Sequence, residues 1–161
     1  MIRVAVLDLG ETLIHGDQLF PHVPEALTAL RKLRAADGAR LQLCLVSDFT
    51  MPNGASVRTL FSRYLRILDG VRLRRFFLPV GRHVTLSTHA GVTKPDRRIY
   101  ELALERLGTG ATLDECVVIT EDAGHIAACT AMGMAGLRFG GDFSDWAQAP
   151  ALVADLLAAR P

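Results

Sequence analysis

The sequence predicts an α/β fold built on a central parallel sheet, and three observations carry that prediction. Apolar runs of strand length alternate with helical periodicity along the 161 residues, the pattern of strands joined by crossover helices. Three of the runs stop at polar or acidic residues: Ile2 to Leu7 at Asp8, Leu41 to Val46 at Ser47-Asp48, and Cys116 to Ile119 at Thr120-Glu121-Asp122. No repeat, low-complexity segment or linker interrupts the chain, so one domain spanning residues 1–161 is expected.

Each element has its own justification. Ile2–Leu7 is apolar enough to need cover on both faces, which places it in the middle of the sheet. His15 to Val23 reads as a short irregular stretch. Pro24-Glu25 opens a helix with Leu27, Leu30 and Leu33 on one face, ended by Asp37-Gly38. Leu41–Val46 is the second strand, on one side of the first. Phe49 to Ser56, with Pro52-Asn53-Gly54, reads as a loop. A helix over about Val57–Leu68 carries Leu60, Tyr64, Ile67 and Leu68; Phe76–Val80 and His83–Leu86 look extended. A helix from about Asp96 to Leu107, with proline in its first turn, puts Ile99, Leu102, Ala103 and Leu107 on one face and is stopped by Gly108 and Gly110. Glu115–Ile119 is the next strand, followed by a helix over about Ala123–Met132. Gly136–Phe139 is a strand beyond it, and Pro150–Ala159 a closing helix.

Composition narrows the function. Half the residues are hydrophobic and the formal net charge is +1, a globular composition without the basic face that nucleic acid or an anionic membrane would need. No apolar stretch approaches the roughly 18 residues of a membrane span. Asp8 and Glu11 interrupt the place where a signal peptide would carry its apolar region. The three cysteines, Cys44, Cys116 and Cys129, are too irregular for a disulfide framework or a zinc site, and read as small buried hydrophobes in a reducing cytoplasm.

In an open parallel sheet, ligands bind outside the carboxyl ends of the strands. Asp8, Ser47 and Glu121-Asp122 are thus expected on one rim. A carboxylate there can be a nucleophile, a metal ligand or a general base. A second carboxylate from another strand would let Mg²⁺ sit between them. A hydroxyl at Ser47 and the charge of Lys94 would hold a phosphoryl group. Each residue alone has a plainer role: Asp8 as a turn residue, Ser47 as a cap, Lys94 as a solvated lysine, and Glu121-Asp122 as the N-cap of the following helix.

The chain resembles the haloacid dehalogenase superfamily, most of whose members are Mg²⁺-dependent phosphatases. Val6-Leu7-Asp8-Leu9-Gly10-Glu11-Thr12-Leu13 is similar to the first family motif, Leu45-Val46-Ser47 to the second and Gly91-Val92-Thr93-Lys94-Pro95-Asp96-Arg97-Arg98-Ile99-Tyr100 to the third. Val118-Ile119-Thr120-Glu121 through His125-Ile126-Ala127-Ala128 is similar to the fourth. The resemblance implies a Rossmann-like three-layer sandwich, Asp8 as nucleophile, Ser47 and Lys94 on the phosphoryl group, and Mg²⁺ held by Asp8, the Gly10 carbonyl and Glu121 or Asp122. Lys94 is expected to pair with Asp8 when no ligand is bound. The substrate would be a phosphorylated small molecule or macromolecule.

Two departures qualify that expectation. The family's second acid stands where this chain has Gly10, and glycine moves no proton; positioned acid–base catalysis contributes about 10²–10⁴-fold. Glu11, one position further on, could act instead, although the alternating direction of side chains along an extended chain works against it. His125 replaces the last acid of the fourth motif and reads first as satisfying a polar contact in the rim; proton transfer, a substrate contact or a changed metal preference are its alternatives. Glu11, Thr12 and His125 are therefore accessory candidates, and His15, His22, His83 and His89 read as surface or loop residues. The intervals between motifs leave no room for a full cap domain, so the site is expected to be open. The leading reading is a metal-assisted phosphohydrolase acting through an aspartyl-phosphate. Beside it stand a degenerate, non-catalytic binding or regulatory protein and a carbon–halogen hydrolase using the same nucleophile. A receiver domain would put its acceptor Asp after the third strand, and a dinucleotide-binding domain would need a glycine-rich turn after the first.

Overall fold

The computed structural model describes residues 1–50 and 54–159. Five parallel strands form the central sheet: β1 (Val4–Leu7), β4 (Gln42–Ser47), β5 (Val84–Leu86), β6 (Cys116–Thr120) and β7 (Ala135–Arg138), in the order β5-β4-β1-β6-β7. As expected, the first run is central, with Val4 to Leu7 paired in register to Gln42–Leu45 on one side and Cys116–Ile119 on the other.

The side-chain alternation of the strands builds the two flanking layers. Ala5 and Leu7 of β1, Leu43 and Leu45 of β4, and Val117 and Ile119 of β6 point to one face. There they pack with α1 (Val23–Leu30), α2 (Val57–Gly70) and α7 (Ala149–Ala159). Val4, Val6, Cys44, Val46, Cys116 and Val118 point to the other, against α5 (Arg97–Leu107) and α6 (Ala123–Ala131). All three cysteines are buried and unpaired, and burial pushes the Cys44 thiol up to about 12. Among the described residues, no helix is long and apolar enough to cross a membrane.

Four expectations change. The helix expected to run on to Asp37-Gly38 ends at Leu30. From Leu33 onward the backbone is committed to a tight turn: Ala35 N–H donates to Ala39, Gly38 N–H to Ala35, and Leu41 N–H to Leu33. Phe76–Val80 is not extended. Phe76 and Phe77 donate back to Leu73 and Arg74 in a one-turn 3-10 helix (Arg74–Phe76), leaving no N–H for a ladder, and α3 (Val80–His83) follows Pro79. The stretch from His15 is partly regular: β2 (Ile14–His15) and β3 (Gln18–Leu19) form a small antiparallel hairpin beside the rim. Two histidines expected at the surface or in loops are half-buried and engaged. His83 donates from Nδ1 to the Leu43 carbonyl at 2.6 Å. His89, in α4 (Ser87–Ala90), accepts from Leu86 N–H at 2.9 Å. Pro52 and Asn53 of the expected loop lie outside the described residues.

The lone tryptophan locks the hairpin side of the sheet. Trp146 is fully buried, packs on Phe139 and Phe143, and donates from its indole to the Thr12 carbonyl at 2.7 Å.

Candidate functional site

The carboxyl ends of β1, β4 and β6 gather most of the expected residues into one place. Asp8 follows β1 directly, and its Oδ1 lies 2.7 Å from Lys94 Nζ, both side chains nearly buried at 16% and 6% exposure. Leu9 N–H donates to the same oxygen at 2.9 Å. The lysine is delivered by the turn before α5, and Asp48 fixes that turn by accepting from Lys94 N–H at 2.9 Å. Lys94 therefore arrives from outside the sheet and still meets the first strand end. The expected pair with Asp8 is present.

The opposite side of Asp8 is organised by β6. Thr120 Oγ1 lies 3.1 Å from Asp8 Oδ2 and 3.1 Å from Glu121 Oε2. Thr12, fully buried, donates to that same Glu121 oxygen at 2.6 Å and accepts from Glu121 N–H. Arg138 donates to the Glu121 carbonyl. A threonine hydroxyl carries a single hydrogen, so only one of the two carboxylates can receive it. The other faces an oxygen across 3.1 Å with no proton between them.

Of the two adjacent acids, Glu121 faces Asp8 and Asp122 does not bridge to it. Asp122 is the N-cap of α6: its Oδ1 accepts from His125 N–H at 3.0 Å. That bond, ahead of other causes, holds its carboxyl below the usual range, and the Lys94 charge adds to it. Glu11 has left-handed backbone (φ 55°) and its carboxylate turns to His15 at 2.8 Å, well exposed. It points away from Asp8, as its position along the chain suggested. His125 lines the same cavity as Asp8. Its imidazole makes no hydrogen bond: Nδ1 is buried without a partner among the described residues, and Nε2 lies 3.9 Å from Asp122.

Ser47 is at the rim but its hydroxyl is engaged, in a 2.5 Å hydrogen bond with the Tyr64 hydroxyl of α2. Tyr64 was legible only as part of the buried face of a helix. Burial raises its phenol well above the ordinary range, so it stays protonated. Asp48 and Thr120 stand at strand ends in the sequence, but their contacts with the Lys94 N–H and the Asp8 carboxylate come from chain segments far away and show only in the fold.

Asp8, Ser47, Asp48, Tyr64, Lys94 and His125 line a cleft of about 670 Å³ that also takes in Gly10, the hairpin residues Ile14, Gly16 and Asp17, and Phe49, Ile67 and Val71. A Cβ added at Gly10 would meet no atom within 4 Å. The oxygen set fits a small hard cation. Two carboxylates face each other around one hydroxyl, and such an ion is commonly held by one or two carboxylates with the rest of its shell as water. No cluster of three or more His, Cys, Asp or Glu side chains suited to a metal occurs among the described residues.

No family model matches the sequence, and no curated protein matches it. Solved structures do. A haloacid dehalogenase superfamily hydrolase from Ehrlichia chaffeensis superposes with a TM-score of 0.69 at 14% identity, over 98% of this chain and 99% of that one. The L-2-haloacid dehalogenase from Xanthobacter autotrophicus gives 0.65 at 15% identity, over 96% and 83%. A HAD-hydrolase from Bacillus subtilis, solved bound to magnesium, gives 0.58 at 15% identity; the match covers 80% of this chain and 47%, about half, of that one. The chain therefore has the haloacid dehalogenase-like fold, a parallel five-stranded α/β sandwich with its polar rim at the carboxyl ends of the strands.

Proposed function

We propose that the protein is a metal-assisted phosphohydrolase that acts through an aspartyl-phosphate on Asp8. The observation that carries this reading is the nearly buried Asp8–Lys94 pair at 2.7 Å on the floor of the cleft. Lys94 and Leu9 N–H orient one carboxylate oxygen, so the carboxylate meets its substrate in a fixed rotamer, as positioned attack requires. The Asp8 carboxylate would form a bond to phosphorus as the bond to the leaving oxygen breaks. Water would then attack the acyl phosphate, releasing inorganic phosphate and regenerating Asp8. Lys94 offsets the charge gathering on the phosphoryl oxygens. Gly10 supplies no proton, so the leaving oxygen takes its proton from water, and activated leaving groups should react best.

Asp8, the Gly10 carbonyl and Glu121 would hold Mg²⁺, whose chemistry here is charge neutralisation on the phosphoryl oxygens. Solved neighbours of the fold include a hydrolase bound to magnesium and a haloacid dehalogenase. The hard oxygen donors beside Asp8 favour phosphorus. The non-catalytic reading has two residues in its favour, Gly10 where a proton donor would stand and His125 in place of the last acid of the fourth motif.

The test is hydrolysis of p-nitrophenyl phosphate with and without Mg²⁺. Slow, metal-dependent release of nitrophenol is expected, and Asp8→Asn should reduce it to background. Wild-type protein inactive with every divalent metal, and unimproved by Gly10→Asp, would favour the binding reading.

A further inference from the structure

The cleft is much larger than its polar floor. A phosphoryl group on Asp8, Lys94 and Ser47 would occupy only the bottom of about 670 Å³, a volume within the range of small-molecule pockets. The space above is walled by Leu9, Ile14, Phe49, Ile67 and Val71, with Gly16 and Gly70 keeping it wide. Ile67 is 37% exposed, one of the few large apolar side chains left open among the described residues, and it is open on this cleft.

Charge narrows the occupant further. The lining includes three carboxylates, Asp8, Asp17 and Asp48, against one lysine, Lys94, with the imidazole of His125 beside them. Lys94 is already paired with Asp8, and its own N–H is taken by Asp48. A second phosphate or a carboxylate would meet the charge of Asp17 and Asp48 with no lysine or arginine left for it among the described lining residues.

We infer that this cleft takes a small monophosphorylated molecule whose other end is apolar and uncharged, aromatic or branched aliphatic, seated against Phe49, Ile67 and Val71. The inference rests on the phosphohydrolase reading for the orientation of the phosphoryl group.

Binding of non-hydrolysable phosphonates to the full chain, measured by calorimetry with Mg²⁺ present, tests it independently of turnover. Benzylphosphonate should bind about 10- to 100-fold more tightly than methylphosphonate, the gain from burying one ring. 4-Carboxybenzylphosphonate should lose that gain. In Ile67→Asp the benzyl-to-methyl ratio should fall towards one, and in Ile67→Ala severalfold; both substitutions are at a partly exposed helix position. Equal affinities, tightest binding of the carboxylated ligand, or no binding of any of the three would overturn the inference. Phenyl phosphate left intact by a protein that keeps the predicted binding order would overturn the phosphohydrolase reading alone. Phenyl phosphate hydrolysed without that order would overturn the ligand class alone.

Discussion

At Gly10 the space beside the backbone is empty: a Cβ would touch nothing within 4 Å, and the glycine is not in the left-handed region. An aspartate introduced there should fold without strain and face the same cleft as Asp8. Gly10→Asp is therefore expected to raise turnover of unactivated alkyl phosphates by about 10²-fold or more, with a smaller gain on p-nitrophenyl phosphate. The ratio of the two rates, measured side by side, checks it. Thr120 makes a second prediction. Replacing its hydroxyl by a methyl in Thr120→Val removes the one donor shared by Asp8 and Glu121. Stability without divalent metal should fall by about 1–3 kcal/mol, and added Mg²⁺ should restore more of the melting temperature than it adds to wild type. A thermal melt with and without metal reads both.

Among the secondary elements, α6 and α4 each owe stability to a side chain at one end. Asp122→Ala removes the N-cap of α6 and is expected to cost about 1 kcal/mol, while leaving the Asp8–Lys94 pair in place. Glu121→Gln, one residue earlier, should instead weaken the dependence of hydrolysis on Mg²⁺. Urea midpoints and metal titrations of the two variants separate these roles. In α4, burial first and the Arg106 charge second lower His89 to about 4, and its Nδ1 accepts Leu86 N–H. The folded state thus holds this imidazole neutral where the unfolded chain would protonate it. Below the ordinary value of 6.5 the unfolded state binds the extra proton. His89 therefore stabilises the fold at neutral pH, and that contribution is lost as pH falls from about 6.5 towards about 4. Denaturation midpoints across that window should drop in wild type and drop less in His89→Asn.

Legibility at this scale followed the kind of signal available. Long periodic segments such as Arg97–Leu107 could be read because Ile99, Ala103 and Leu107 repeat at helical spacing and Gly108 ends them. The early end of α1 could not, because it depends on backbone bonds between Leu33 and Leu41 that leave no mark in residue type. Phe76 and Phe77 looked like strand residues because two adjacent aromatics suit a half-buried strand and a buried turn alike.

For the molecule as a whole, the apolar run at residues 2–7 was enough to centre the sheet, and the Asp8, Lys94 and Glu121 contacts followed from topology. Residues 8 and 121 come together because parallel strands bring their carboxyl ends to one edge, and Lys94 joins them from the turn before α5. What stayed hidden was everything contributed across that edge by a neighbour with an unremarkable role in sequence: the Tyr64 phenol on Ser47, the Thr120 hydroxyl, and the hairpin that forms one wall. The cleft between that hairpin and the end of α2 has no signature in the sequence, since its walls come from Ile14, Phe49, Ile67 and Val71, ordinary apolar residues from separate segments.

The indole of Trp146 gives this arrangement an optical readout. It is the chain's sole tryptophan, fully buried, and its N–H holds the carbonyl of Thr12, whose hydroxyl holds Glu121. An ion or ligand that draws Glu121 towards Asp8 pulls on the residue to which the chromophore is tied. Near-ultraviolet emission excited at the indole band should therefore change with occupancy of the cleft and stay constant when Thr12→Val cuts the connection. The protein carries its own unlabelled fluorophore, three side chains from the carboxylate that would do the chemistry.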